Sequence, residues 1–348
     1  MPNSSASSLQ LPPPGGPRPV GTRSWHLVDA DRADPWDTGR SRELMVQLWY
    51  PAGSAGDRAR YLPVPVARLV IDSWAEEGEN LGAESGEALA AAGVTALDGV
   101  PPLIGAPAPL VLLSPGLGEY RTGLSALAEE LASRGLWVAG VDHPSDAAGV
   151  AFPDGRVVAH HEPDFGEDGD LEDRYLATRI ADLRFVLDRL LGSEWRELVD
   201  PDRIAVAGHS LGGAAALEVA RLDDRVAAAA VLDGSLYGEV LTTGLDVPVL
   251  LCALTPPDPD DPDVLAGWEQ VWPLLRGPRQ WTTVPDAGHL SATDFDVFAA
   301  PLGLREPGDP DDLLSFGTLA PGEGVAAVRS VLVGFLGAHL SGHVVADA

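Results

Sequence analysis

A chain of 348 residues, 45% of them hydrophobic, is long enough to bury a sizeable core in one large domain. Its 52 acidic side chains outweigh 23 basic ones, all arginine, for a net charge of −29. Such a surface repels phosphate backbones and anionic lipid headgroups, which argues against a nucleic-acid partner.

Residues 1–21 are rich in Ser, Pro and Gly and read as a flexible arm, followed by one domain over 22–348. The start lacks a basic stretch followed by an apolar one, and no apolar run reaches the ~18 residues that a membrane span needs. A cytoplasmic chain without stable membrane insertion is expected. "LMVQLWYP" (44–51) predicts an early strand, and 61–109 reads as a partly helical insertion, a cap near the active site. From Leu110 a rhythm sets in. "LVLLS" (110–114) predicts a strand, Leu124, Leu127 and Leu131 a helix closing at Gly135, and "LWVAGVD" (136–142) a second buried strand. The spacing of Leu176, Ile180, Leu183, Leu187 and Leu190 predicts a helix over 171–191. Further strands are expected at 203–208, 226–233, 247–254 and 279–284, with a closing helix at 325–340. Strands alternating with helices predict an α/β fold, a mostly parallel central sheet with helices on both faces. The single cysteine, Cys252, lies in the apolar run "VPVLLCALT" and reads as a buried hydrophobe; no intrachain disulfide can form.

The chemistry centres on "RIAVAGHSLGGAAALEVA". Gly208-His209-Ser210-Leu211-Gly212 fits G-x-S-x-G where a strand gives way to a helix, the context in which a strained turn lifts a serine above the sheet edge. A glycine-rich helix start in a nucleotide-binding sheet would use similar residues. The strand, the helix and the small residues that let them pack closely favour Ser210 as a nucleophile. A serine needs a base. Of eight histidines, His289 in "VPDAGHLS" stands late in the chain, after the last strand, where the Ser…Asp/Glu…His order puts it. His209 reads as a packing or hydrogen-bonding residue, His160 and His161 as solvated, and His143 as an alternative that could line the cleft. Two places compete for the acid. Asp233 ends a wholly apolar strand, where a carboxylate is costly without a partner; Asp258, Asp260, Asp261 and Asp263 lie in the proline-broken "TPPDPDDPD". Asp233 is preferred. The oxyanion donors are expected to be the backbone N–H groups of Leu211, after the nucleophile, and Leu117, in "SPGLGEY". No cofactor is expected, and proline interrupts the spacing that a metal site in the acidic loops would need.

The segments "LVLLSPGLGEYRTGLSALAEELASRGLWVAGVDH", "VAGHSLGGAAAL", "AAVLDGSLY" and "VPDAGHLSATDF" together resemble the plasma-type platelet-activating factor acetylhydrolases and their bacterial esterase relatives, within the α/β-hydrolase superfamily. The likeness spans about 110–298, with a weaker echo in "PVGTRSWHLVD" and "RELMVQLWYP". It implies calcium-independent hydrolysis of a small-molecule or lipid ester, with short or oxidised acyl chains as typical family substrates. It carries Ser210, Asp233 and His289 over as the triad, and Leu117 and Leu211 as the oxyanion residues. Pro115 stands where relatives often carry histidine. An acyltransferase or macrolactone-forming cyclase could use the same triad, and a catalytically silent binding protein could use the same scaffold.

Overall fold

The apolar runs around 110–114, 137–141 and 249–253 become strands buried on both sides. The computed structural model describes residues 9–76, 84–161, 171–254, 266–305 and 314–340. Its strands, in chain order, are β1 (Val20–Ala33), β2 (Ser41–Pro51), β3 (Leu97–Asp98), β4 (Ala108–Ser114), β5 (Trp137–Val141), β6 (Gly149–Ala151), β7 (Val157–Ala159), β8 (Val199–His209), β9 (Val226–Leu232), β10 (Val249–Ala253) and β11 (Arg279–Thr283). The helices are α1 (Val64–Glu76), α2 (Glu84–Ala90), α3 (Ser125–Ser133), α4 (Leu171–Leu191), α5 (Leu211–Leu222), α6 (Val240–Thr243), α7 (Ala266–Val271), α8 (Phe295–Leu302) and α9 (Glu323–Leu340).

Nine strands form one sheet in the order β11-β10-β9-β8-β4-β5-β2-β1-β3. Pairing is parallel from β11 through β5 and antiparallel at β5–β2 and β2–β1. Alternation along β4 shows why its run is unbroken: Val111 and Leu113 face a core with α3 and α9, while Leu110 and Leu112 face one with α4 and α5. Helix α9 is long and apolar enough to cross a membrane, but Val325, Val328, Leu332, Phe335 and Leu336 are buried in the first of these cores.

Three features depart from expectation. The arm expected over 1–21 is docked from residue 9: Leu9 and Leu11 are buried, and the Leu11 N–H donates to the Gly93 carbonyl at 2.9 Å. Strand β1 escapes the sequence pattern because it carries few apolar residues; pairing with β2 at the sheet's antiparallel end holds it. The β6–β7 hairpin, outside the main sheet, was equally silent. Cys252 is fully buried on β10, and burial pushes its thiol up to about 12, so it is an inert packing residue.

Candidate active site

The site forms where the C-terminal ends of the parallel strands open. β8 ends at His209 and α5 begins at Leu211, leaving Ser210 alone in the turn with φ +53° and ψ −128°. A non-glycine residue there is strained, and the surroundings hold it. A Cβ on Gly208 would strike the Gly212 carbonyl, and one on Gly212 would strike the carbonyls of Ser114 and Pro115. Only glycine lets the three segments approach this closely. The Ser210 N–H donates to the Leu232 carbonyl at 3.1 Å, tying the turn to β9.

β9 delivers Asp233, at φ +59°, just beyond its last residue. The carboxylate is buried, and Oδ1 accepts the Leu254 N–H at 2.8 Å. Oδ2 lies 2.7 Å from Nδ1 of His289, which opens a 3₁₀ turn (His289–Ala292) after β11. A carboxylate can only accept, so Nδ1 carries the proton and Nε2 is left with its lone pair. His289 is about one-third exposed and lines the same cavity of about 740 Å³ as Ser210. Leu117, in the turn after β4, also lines that cavity, while Leu211 supplies the first N–H of α5, which has no intrahelical acceptor. Thus Ser210, His289 and Leu117 share one cavity, and Asp233 stands behind His289. Asp258, Asp260, Asp261 and Asp263 lie outside the described residues.

The cavity is walled by Trp74 and Val70 of α1, Phe295 of α8 and Leu290. Among its described lining residues, the acids and histidines are Asp72, Glu119, His160 and His289, beside the phenol of Tyr120, with no arginine. Among the described residues no three His, Cys, Asp or Glu side chains converge as a metal site.

Two other histidines, His160 and His143, fall differently from expectation. His160 is half-buried rather than solvated: it lines the cavity, and its Nδ1–H donates to the Asp146 carbonyl at 2.7 Å. His143 lies beneath the site, not in the cleft. It is 1% exposed, with Nδ1 2.9 Å from Asp182 and Nε2 3.1 Å from the Ser114 hydroxyl. All three members of this second Ser/His/Asp set are buried. Burial depresses the His143 imidazole, and a neutral ring donating to Asp182 and accepting from Ser114 satisfies all three groups. Burial alone would raise the Asp182 carboxyl, yet the charge of Arg42 and bonds from His143 and Arg42 hold it well below the usual range.

Arg179 and Glu119 gave no signal in the sequence. Arg179, fully buried on α4, forks onto Asp146 at 2.5 and 2.6 Å, contacts the Pro115 carbonyl, and donates to the Gly116 carbonyl at 2.9 Å. It therefore fixes the backbone just before Leu117. Glu119 accepts the Gly116 N–H at 2.6 Å, closing the same turn from the other side.

Similarity to known proteins agrees with this architecture. Residues 4–164 match the family model described as platelet-activating factor acetylhydrolase, isoform II. A probable 1-alkyl-2-acetylglycerophosphocholine esterase of Arthroderma benhamiae is 30% identical over 209 residues, covering 57% of this chain and 51% of the relative. The platelet-activating factor acetylhydrolase of Bos taurus is 27% identical over 162 residues, covering 37% of this chain and 35% of the relative. The chain thus spans about half the length, or less, of these curated relatives. The solved structure of a ferulic acid esterase from Streptomyces cinnamoneus superposes with TM-score 0.84 at 38% identity, covering 98% of this chain and 96% of that one. A dienelactone hydrolase-like promiscuous phosphotriesterase from metagenomic libraries shares the fold alone, with TM-score 0.52 at 15% identity over 92% of this chain and 99% of that one. With an α/β-hydrolase-like fold, and a bacterial esterase similar along nearly its whole length, the chain belongs to the platelet-activating factor acetylhydrolase family and its bacterial esterase relatives.

Proposed function

We propose that the protein is a carboxylic ester hydrolase that works through an acyl-enzyme on Ser210. The observation that carries this reading is a strained, cavity-facing serine that shares its cavity with a histidine whose far nitrogen is held by a buried aspartate. His289 Nε2 takes the Ser210 proton as Oγ bonds the acyl carbon, and the N–H groups of Leu117 and Leu211 hold the oxyanion. His289 then gives that proton to the leaving alkoxide as the ester C–O bond breaks. Water repeats the sequence: it loses its proton to His289, attacks the acyl carbon and releases the acid, and Ser210 is re-protonated. Asp233 keeps the Nδ1–H tautomer and stabilises the imidazolium formed at each step.

The relatives' names support hydrolysis over acyl transfer. Segment 61–109 acts as a cap, since α1 supplies one wall of the cavity. That wall pairs Trp74 with Phe295, ring centroids 5.3 Å apart, and suits an ester with a short acyl chain or a flat aromatic acid such as ferulate. Phospholipid-like esters with a short acyl chain form the second substrate class, supported by the family match.

Ser210→Ala tests the mechanism. Turnover of p-nitrophenyl acetate is expected to fall by about 10³-fold or more while the circular dichroism spectrum and Tm stay unchanged. Retained turnover in the folded variant removes the serine mechanism. Methyl ferulate and a short-chain phospholipid compared on the wild-type protein separate the two substrate classes.

A further inference from the structure

The histidine beside the nucleophile is fully buried, and both its ring nitrogens face acceptors. Nε2 of His209 lies 2.8 Å from the backbone carbonyl of His289, and Nδ1 lies 2.8 Å from Oε1 of Glu119. A carbonyl cannot donate, so Nε2 must carry a proton. Glu119 already accepts the Gly116 N–H on Oε2, which an ionised carboxylate does best. The second bond then requires a proton on Nδ1 as well.

We propose that His209 is a positioning residue held as an imidazolium, whose two N–H groups clamp the turn bearing Leu117 to the loop bearing His289. The chain of contacts is continuous: Gly116 N–H to Glu119, Glu119 to His209, and His209 to the backbone of the base itself. The His209 and His289 rings also lie 4.4 Å apart, centroid to centroid. A neutral imidazole has one N–H and can serve one partner only. The other contact then sets a lone pair against an acceptor, and the two loops lose their common anchor. The titratable groups facing the ring are Glu119 from the turn after β4, Asp233 after β9, and His289 itself. Although burial would lower His209, the Glu119 charge and hydrogen bond outweigh it and raise the imidazole, while His209 in turn keeps Glu119 low against its own burial. The clamp is therefore closed below the raised value and opens as the pH rises through it.

This inference rests on the roles assigned to His289 and Leu117, so its first readout needs no turnover. In ¹⁵N-labelled protein near pH 7, both ring nitrogens of His209, assigned by their loss in His209→Asn, are expected to show protonated, N–H-bearing shifts. Ser210→Ala protein should show the same signals, which keeps this result separate from the serine mechanism. The second readout is the pH profile of kcat on p-nitrophenyl acetate. In wild type, kcat should fall on the alkaline side in step with the His209 signal. Glu119→Ala should lower kcat about 10- to 100-fold with KM within about threefold. Glu119→Gln, whose amide can donate to a neutral Nδ1 while its oxygen keeps the Gly116 bond, should recover most of that loss and abolish the alkaline fall. A His209 ring with one unprotonated nitrogen near pH 7 overturns the proposal. So does an alkaline fall that survives Glu119→Gln unchanged, or a Glu119→Ala defect confined to KM.

Discussion

At the residue scale, Asp233 and His289 give the sharpest test of the site. Asp233 is an aspartate at positive φ after a wholly apolar strand, buried and bonded to both the Leu254 N–H and the His289 ring. The isosteric Asp233→Asn would favour the wrong imidazole tautomer and leave the forming cation without a partner. A loss of about 10³- to 10⁴-fold in kcat is expected, with Asp258→Asn near wild type. The reverse pattern in steady-state kinetics would move the acid to the later loop. Sequence reasoning reached this aspartate by asking what a carboxylate does at the end of a buried strand. It could not reach Glu119, because an acid in a Gly-rich turn has the spelling of any solvated surface residue.

At the element scale, the turn after β4 is the least self-sufficient part of the site. It is held from below by Arg179 of α4 and from the side by Glu119. Arg179 neutralises Asp146, which is itself only 1% exposed. Arg179→Leu would leave that carboxylate unpaired and leave the Gly116 carbonyl only its 3.2 Å bond from the Glu119 N–H. Urea denaturation is expected to show a loss of about 3–5 kcal/mol, since removing one partner of a buried pair exposes the full desolvation cost of the other. A loss under ~1 kcal/mol would mean that water substitutes for the guanidinium. Helix α4 was legible from its leucine spacing, yet that periodicity marks only the face packed on the sheet. The role of Arg179 depends on contacts made across more than sixty positions of sequence.

At the scale of the whole molecule, the dominant electrostatic fact is the net charge of −29. Many arginines are already committed to ion pairs, including Arg42 and Arg179 in the interior, so they do little to relieve repulsion between exposed carboxylates. Raising the salt concentration from about 10 mM to about 300 mM shortens the Debye length from roughly 30 Å to less than 10 Å. Tm by calorimetry is expected to rise by roughly 2 °C or more over that range. A Tm that falls would show that surface ion pairs, not long-range repulsion, dominate the balance. The acidity also reaches the cavity that Ser210 lines: Glu119 is paired with His209 there, but Asp72 has no arginine beside it in the described lining, which disfavours anionic esters.

Some of this molecule is written locally. The order of strands and helices, the serine turn between β8 and α5, and the late histidine follow from hydrophobic periodicity and from steric demands acting within a few residues. The rest exists only once distant segments meet. Folding brings Asp233 to His289, clamps His209 between Glu119 and the His289 backbone, buries His143 on Asp182 and Ser114, and docks residues 9–11 beside Gly93. Hydrogen bonds between groups dozens of positions apart leave no periodic trace in the chain, and burial, which gives each of them its strength, is a property of the packed whole.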